Sequence, residues 1–231
     1  LSIEYPDYPS IGHIEAEHFD PTEWKPLYPN PAFQRMDKAD AFWAARQVMH
    51  FTDEELRALV ATGRYSDSEA EAYLAETLMK RRDKIGRAYL GYGGGLDRFR
   101  VENGASGTRL VFEDLLATHG LAPEARERRV TWRVFDNEAG EAGRTLTQQT
   151  TVRESLALPE EAAPPFLLAE IETRAKEEER ATTYAYLRRE ASAPGARRLE
   201  KESGYEMVGL ERTGEVPIRE QGPEAAAAVA E

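Results

Sequence analysis

Ala88-Tyr89-Leu90-Gly91-Tyr92-Gly93-Gly94-Gly95-Leu96-Asp97-Arg98-Phe99-Arg100-Val101, residues 88–101, is where the chain changes its period. Upstream, apolar residues recur at spacings of three and four, the helical pattern; downstream they alternate, the strand pattern. Gly91–Gly95 breaks the helix between the two regimes. A glycine loop that cradles phosphate needs a strand before it and a helix after it. Here the order is reversed, so the stretch is expected to be a hinge, and residues 92–96 are read as a Gly-rich linker.

Downstream, Val130, Trp132 and Val134 alternate with Arg129, Thr131 and Arg133, which marks a half-buried strand. Asp136-Asn137-Glu138-Ala139-Gly140 supplies a turn. Further strands are expected at Arg98–Glu102, Leu110–Phe112, Leu146–Val152, Leu167–Thr173, Thr182–Arg189 and Glu206–Arg212, with one short helix at Phe112–His119. About seven strands separated by turn signals predict an antiparallel β-sandwich-like domain over 97–213. The remaining 214–231 ends in an alanine run without a core-forming pattern and is read as a disordered tail.

Upstream, three helices are expected. The first runs from Asp40 to Met49, starting near Asp37 or Lys38 and burying Phe42, Ala45 and Met49. The second starts at Thr52, with Glu55 as reciprocal partner and Phe51 stapled onto Leu56. Leu56, Leu59 and Val60 form its apolar face, and Gly63 suits the left-handed position that closes it. The third starts with Ser66 as cap and Glu69 three residues on, and extends to Leu90. Before them, Pro6, Pro9, Pro21, Pro26, Pro29 and Pro31 punctuate Tyr5, Tyr8, Phe19, Trp24, Tyr28 and Phe33. Proline excludes a continuous helix or central strand, while the aromatics demand a surface to pack on. Residues 1–36 therefore read as an extended arm lying on the helices. The fold class is α+β: an N-terminal three-helix module with a Pro/aromatic arm at 1–91, then the β-domain.

Composition bounds the function. The chain has 231 residues, with 30 Lys plus Arg against 42 Asp plus Glu, a net charge of −12. Residues 1–91 carry net −5 and residues 92–231 net −7, so neither half is a nucleic-acid module on charge grounds. No stretch reaches the roughly 18–20 apolar residues of a membrane span. Cysteine is absent, which removes disulfides, thiolate metal sites and cysteine nucleophiles. Leu1 in place of an initiator methionine suggests a fragment or a processed product.

The densest charged run is Lys80-Arg81-Arg82-Asp83-Lys84-Ile85-Gly86-Arg87. On a helix Lys80, Lys84 and Arg87 fall within about 40° of a common line, a strip able to hold an anion or an acidic partner. Glu76 and Asp83, each four residues before a cation, offer the alternative of a solvated face with local pairs. Arg81 falls between Leu74, Leu78, Ile85 and Ala88, in the middle of the apolar stripe. Such a guanidinium must meet a carboxylate or carbonyls, with Asp37, Asp40 and Asp53 as candidate partners. His13, Glu17, His18 and Asp20 have metal-ligand chemistry, but a proline-flanked loop gives no reason for them to converge. No metal site, cofactor or catalytic residue is assigned, because no nucleophile, Walker-type, His-Glu-x-x-His or dinucleotide motif is present. Asp136-Asn137-Glu138 has calcium-ligand chemistry. Trp132 with Tyr184 and Tyr186 would floor a carbohydrate site if solvent-exposed.

Tyr28-Pro29-Asn30-Pro31-Ala32-Phe33, Asp40-Ala41-Phe42-Trp43-Ala44-Ala45-Arg46, Met49-x-Phe51-Thr52-Asp53-Glu54 and Arg64-Tyr65-Ser66-Asp67 carry a resemblance. Tyr73-Leu74-x-x-Thr77-Leu78-x-x-Arg81-Arg82-Asp83-Lys84-Ile85-Gly86-Arg87 extends it. Together they resemble the C-terminal region of a family of uncharacterised, exported bacterial proteins whose preceding region is similar to an atypical kinase-like, HipA-like core. The resemblance is good over 1–90, and only a general strand pattern supports it over 97–213. The core's ATP-anchoring lysine, catalytic-loop aspartate and magnesium-binding aspartate have no counterpart here, so no catalytic residue carries over. The resemblance implies a non-catalytic region acting as scaffold and interaction module. Its partner would be an upstream domain of the same protein or another protein, and its location the periplasm or cell envelope. The rival expectations are a stand-alone enzyme with an inter-domain site near Arg82 and Lys84, and a carbohydrate- or calcium-binding sandwich.

Overall fold

The computed structural model describes residues 6–28, 30–104, 107–123, 125–159, 164–174, 180–190 and 204–214. The chain is α+β, helices first and sheets after, and it parts into two units between Leu90 and Gly91. The tail expected after Gly214 lies outside the described residues.

In the first unit the arm contains a one-turn helix, α1 (Pro31–Gln34), where none was expected. Asn30 caps it and Pro31 occupies its first position, the one place in a helix where a missing N–H costs nothing. Helix α2 (Lys38–Val48) starts with a capping box in which Asp37 accepts from the Asp40 N–H and Asp40 from the Asp37 N–H. It buries Phe42 and Ala45, with Met49 buried just past its end. Helix α3 (Asp53–Ala61) carries the Thr52–Glu55 capping box. Leu56 and Val60 are buried, whereas Leu59 is 57% exposed and Phe51 50% exposed. The residue in left-handed conformation after α3 is Arg64, not Gly63. A Cβ at Gly63 would stand 2.6 Å from the Tyr65 ring, so a larger residue there would have to push that ring aside. Helix α4 (Ser68–Tyr89) is capped by Asp67 rather than Ser66, through the N–H groups of Glu69 and Ala70. It packs against α2 and α3.

The second unit opens on a tight turn, Tyr92–Gly95, whose glycines are buried and in which Gly93 and Gly94 depart from helical geometry. Gly94 has φ +77°, and a Cβ on it would meet the Thr173 Oγ1 at 2.6 Å, so both conformation and space require glycine. Gly93 accepts a hydrogen bond from the Thr183 hydroxyl. The stretch expected as a linker is thus packed onto the sheet that follows.

Among the described residues eight strands follow: β1 (Leu96–Gly104), β2 (Gly107–Asp114), β3 (Arg128–Asp136), β4 (Glu141–Thr151), β5 (Ser155–Ala157), β6 (Phe166–Arg174), β7 (Arg180–Arg189) and β8 (Tyr205–Thr213). Helix α5 (Leu115–Thr118), capped by Asp114, separates β2 from β3. The strands form two antiparallel sheets, β1-β2-β5 and β4-β3-β6-β7-β8. Leu96, Leu110 and Phe112 from the smaller sheet share one core with Val130, Trp132, Leu167, Ile171 and Leu187 from the larger. Strand alternation supplies the inward set: β7 reads Ala181, Thr183, Ala185, Leu187 inward.

Candidate functional site

Among its described residues the arm makes no strand ladder, so its carbonyls need donors from elsewhere. Helix α4 provides them. The Tyr73 hydroxyl donates to the Ile14 carbonyl at 3.0 Å, and Arg81 Nε to Glu15 at 2.6 Å. Lys84 Nζ donates to both Glu17 and Phe19, at 2.7 and 3.0 Å, and the Tyr89 hydroxyl to Pro21 at 2.9 Å. The Arg81 guanidinium also lies over the Phe19 ring, 4.7 Å from its centroid. Burial, with a smaller contribution from the Asp20 charge, lifts the Tyr89 pKa above its ordinary value.

These contacts decide what the charged run does. Arg81 does meet a carbonyl inside its unit, but on the arm and not at Asp37, Asp40 or Asp53. Lys84 is spent on the same arm. Lys80 pairs with Glu76 at 2.6 Å on an exposed face, which raises its pKa, and Arg87 is exposed. The structure therefore sends Lys80 and Lys84 to different partners. Arg82 binds α4 to the start of α3 through Asp53 at 2.8 Å and the Phe51 carbonyl at 2.8 Å, and pairs with its neighbour Asp83 on α4 at 2.7 Å. Burial opposes its charge, and the hydrogen bonds to Asp83 and Asp53 outweigh burial and raise its pKa.

Beside this ladder lies a recess of about 390 Å³ that no motif announces. The arm contributes Phe19, Pro21 and Trp24, α1 contributes Phe33, and α4 contributes Ile85 and Tyr89. Opposite them α2 presents Ala41, Ala44, Ala45 and Val48, and small side chains facing large rings leave the volume open. Trp24 and Phe33 meet edge to face at 5.3 Å and remain 52% and 43% exposed. Among the described lining residues Lys25 alone is charged. The recess falls within the size and apolar character of ordinary binding pockets. The available sequence signal was the alanine run of α2 set against an arm rich in rings.

In the second unit, Asp114 and Arg128 are fully buried, with Arg128 Nη2 2.5 Å from Asp114 Oδ2. Arg126 Nε reaches the same oxygen at 2.7 Å and also donates to the Gly94 carbonyl. Asp114 Oδ1 accepts from the Leu116 and Ala117 N–H groups. Arg212 holds Asp97 at 2.7 Å and the Leu96 carbonyl at 3.1 Å. These groups are consumed internally and fasten the glycine turn and α5 to the sheets.

Trp132 is 1% exposed in the core, so it cannot floor a carbohydrate site. Tyr184 and Tyr186 lie on the opposite face of the sheet, half-buried. Burial, followed by the hydrogen bond to Glu211, pushes Tyr186 up to about 12. Asp136 spends an oxygen on the Glu138 and Ala139 N–H groups, closing the β3–β4 turn. In the arm, Glu15 rather than Glu17 engages His18. Asp20 binds Thr22. Among the described residues no group of three or more His, Asp or Glu side chains is placed to hold a metal ion. No described helix is long and apolar enough to cross a membrane.

Comparison of the chain with protein-family models, with curated proteins and with solved structures finds no match.

Proposed function

We propose that this chain is a non-catalytic scaffold and interaction module that binds a protein neighbour through the apolar recess of its helical unit. The occupant is a segment presenting an aromatic or branched aliphatic anchor, flanked by a carboxylate that Lys25 meets. The observation that carries the reading is the recess together with the apolar exposure of the unit that holds it. Trp24, Leu27, Tyr28, Phe33, Trp43, Phe51 and Leu59 are exposed in the first unit, against Val152 and Val208 in the second. Apolar exposure concentrated on one unit marks a contact surface. The internal engagement of Arg81, Arg82, Lys84, Asp114, Arg126 and Arg128 favours scaffolding over chemistry. The family resemblance makes an upstream kinase-like core the first neighbour to test.

The test uses anilinonaphthalene sulfonate, an aromatic anion with the chemistry the recess selects. The folded wild-type chain should enhance its emission at a single site. Phe33→Asp and Ala44→Trp should abolish the enhancement while leaving the melting temperature close to wild type. Equal enhancement in all three proteins, or release of phosphate from ATP by the purified chain, overturns the reading.

A further inference from the structure

The recess and the attachment of the arm share residues. Phe19, Pro21 and Trp24 supply the arm's side of the wall, and α2 and α4 supply the facing side. The described residues 14–24 form neither helix nor strand, so the arm's side is placed by what holds it to α4. Phe19 belongs to both structures. Its ring lines the recess and carries the Arg81 guanidinium 4.7 Å from its centroid, and its carbonyl accepts from Lys84 at 3.0 Å. Pro21 lines the recess while its carbonyl accepts from Tyr89. A closed turn then carries that position onward to Trp24. Asp20 Oδ1 accepts from the Thr22 N–H at 2.8 Å and the Thr22 hydroxyl at 2.7 Å, and the Asp20 carbonyl accepts from the Glu23 N–H at 3.3 Å. Tyr73, Arg81 and Lys84 themselves lie outside the lining.

We propose that Arg81 is a positioning residue for the recess: it fixes the Phe19 ring and the arm's half of the wall, so that occupancy and arm attachment strengthen each other. The proposal rests on the recess being a binding site. Two states differ in what they offer an occupant. With the arm attached, rings meet it from both sides; with the arm released, the wall of α2 and α4 remains without Phe19 and Pro21. Apparent affinity then falls in proportion to the attached fraction. Linkage makes the effect reciprocal, so an occupant holds the arm down as much as the arm holds the occupant. Arg81 acts at the joint itself, whereas Tyr73 holds Ile14, further along the arm.

Fluorescence titration of the full chain with anilinonaphthalene sulfonate tests this. Arg81→Ala should raise the dissociation constant by about fivefold or more, within the usual range of coupling between sites. Tyr73→Phe should raise it less, and Arg81→Lys, which keeps a cation and a donor, should recover part of the loss. Arg82→Ala removes a guanidinium that reaches α3 instead of the arm, and it should leave the constant unchanged. That control separates positioning from loss of stability alone. Saturating dye should slow amide exchange across residues 14–20 in the wild type and not in Phe33→Asp. This measurement needs no change at Arg81 and decides the matter even where Arg81→Ala folds poorly. Dye binding in Arg81→Ala equal to or tighter than wild type, with Phe33→Asp silent, overturns the coupling and leaves the recess reading standing. Equal losses in Arg81→Ala and Arg82→Ala, or arm exchange indifferent to the dye, overturn it as well. Dye that binds Phe33→Asp as tightly as wild type removes the recess reading, and the coupling with it.

Discussion

Arg81 in the helical unit and Arg128 in the β unit are both cations set among apolar side chains, yet they are engaged in opposite ways. Arg81 stays half-buried, gives one hydrogen bond to a backbone carbonyl of the arm and rests its flat face on Phe19. Arg128 is fully enclosed, facing an equally enclosed Asp114 that also caps α5 and holds Arg126. The first arrangement fastens a segment without secondary structure to a helix. The second closes a core. A unit that leaves seven large apolar side chains exposed and whose cations hold down an arm is organised as much around its surface as around its core. One whose charges are enclosed in pairs is organised around its interior.

The largest expected effect breaks the enclosed pair. Asp114→Ala leaves Arg128 buried without its counter-ion and should destabilise the β unit by about 3–5 kcal/mol. Urea unfolding followed by Trp132 emission, with Trp24 and Trp43 replaced by Phe, measures it; a loss near zero would erase the contrast between the units. Next comes Arg81→Ala, expected to cost the helical unit about 1–3 kcal/mol for one charge-assisted hydrogen bond and the ring contact. Faster amide exchange and proteolysis across residues 14–21 should accompany it, with the β unit unchanged.

Acid sharpens the comparison further. Hydrogen bonds from the Thr52 N–H and then its hydroxyl hold the Glu55 carboxyl below its ordinary value, and those from Thr22 do the same for Asp20. A carboxyl lowered in the folded state contributes stability that is present above its unfolded value and lost as pH falls through the lowered one. The thermal midpoint of the helical unit should therefore drop between about pH 5 and pH 2. Glu55→Gln, which removes that titration while keeping a capping side chain, should reduce the drop. The smallest effect belongs to Lys80→Ala. An exposed pair with Glu76 contributes little, and thermal melting should not distinguish the variant from wild type.

Legibility from sequence follows the range of the interactions. Thr52 and Glu55 are three residues apart, and their capping box was readable because both partners sit in one turn. Ser66 was expected to cap α4; its neighbour Asp67 also carries an acceptor oxygen, and the backbone geometry selects Asp67. The seven longer strands were legible from alternation, whereas Ser155–Ala157 is too short to show a period. Arg81's need for a partner was readable from its place in the stripe. Its actual partner lies 66 residues away in a segment whose prolines erase any periodicity. The recess escaped notice for the same reason, since half its wall is arm. In Gly91–Gly95 the break in helix was visible, but the close approach of Thr173 and Arg212 that fills the turn comes from strands far along the chain.

The donors along α4 meet the arm in register, Tyr73 at residue 14, Arg81 at 15, Lys84 at 17 and 19, and Tyr89 at 21, so the two segments climb in the same direction. An attachment built this way opens like a zip fastener, tooth by tooth from either end. Releasing the Tyr89 tooth alone would free the arm at Pro21 while the four bonds from Tyr73, Arg81 and Lys84 stay made.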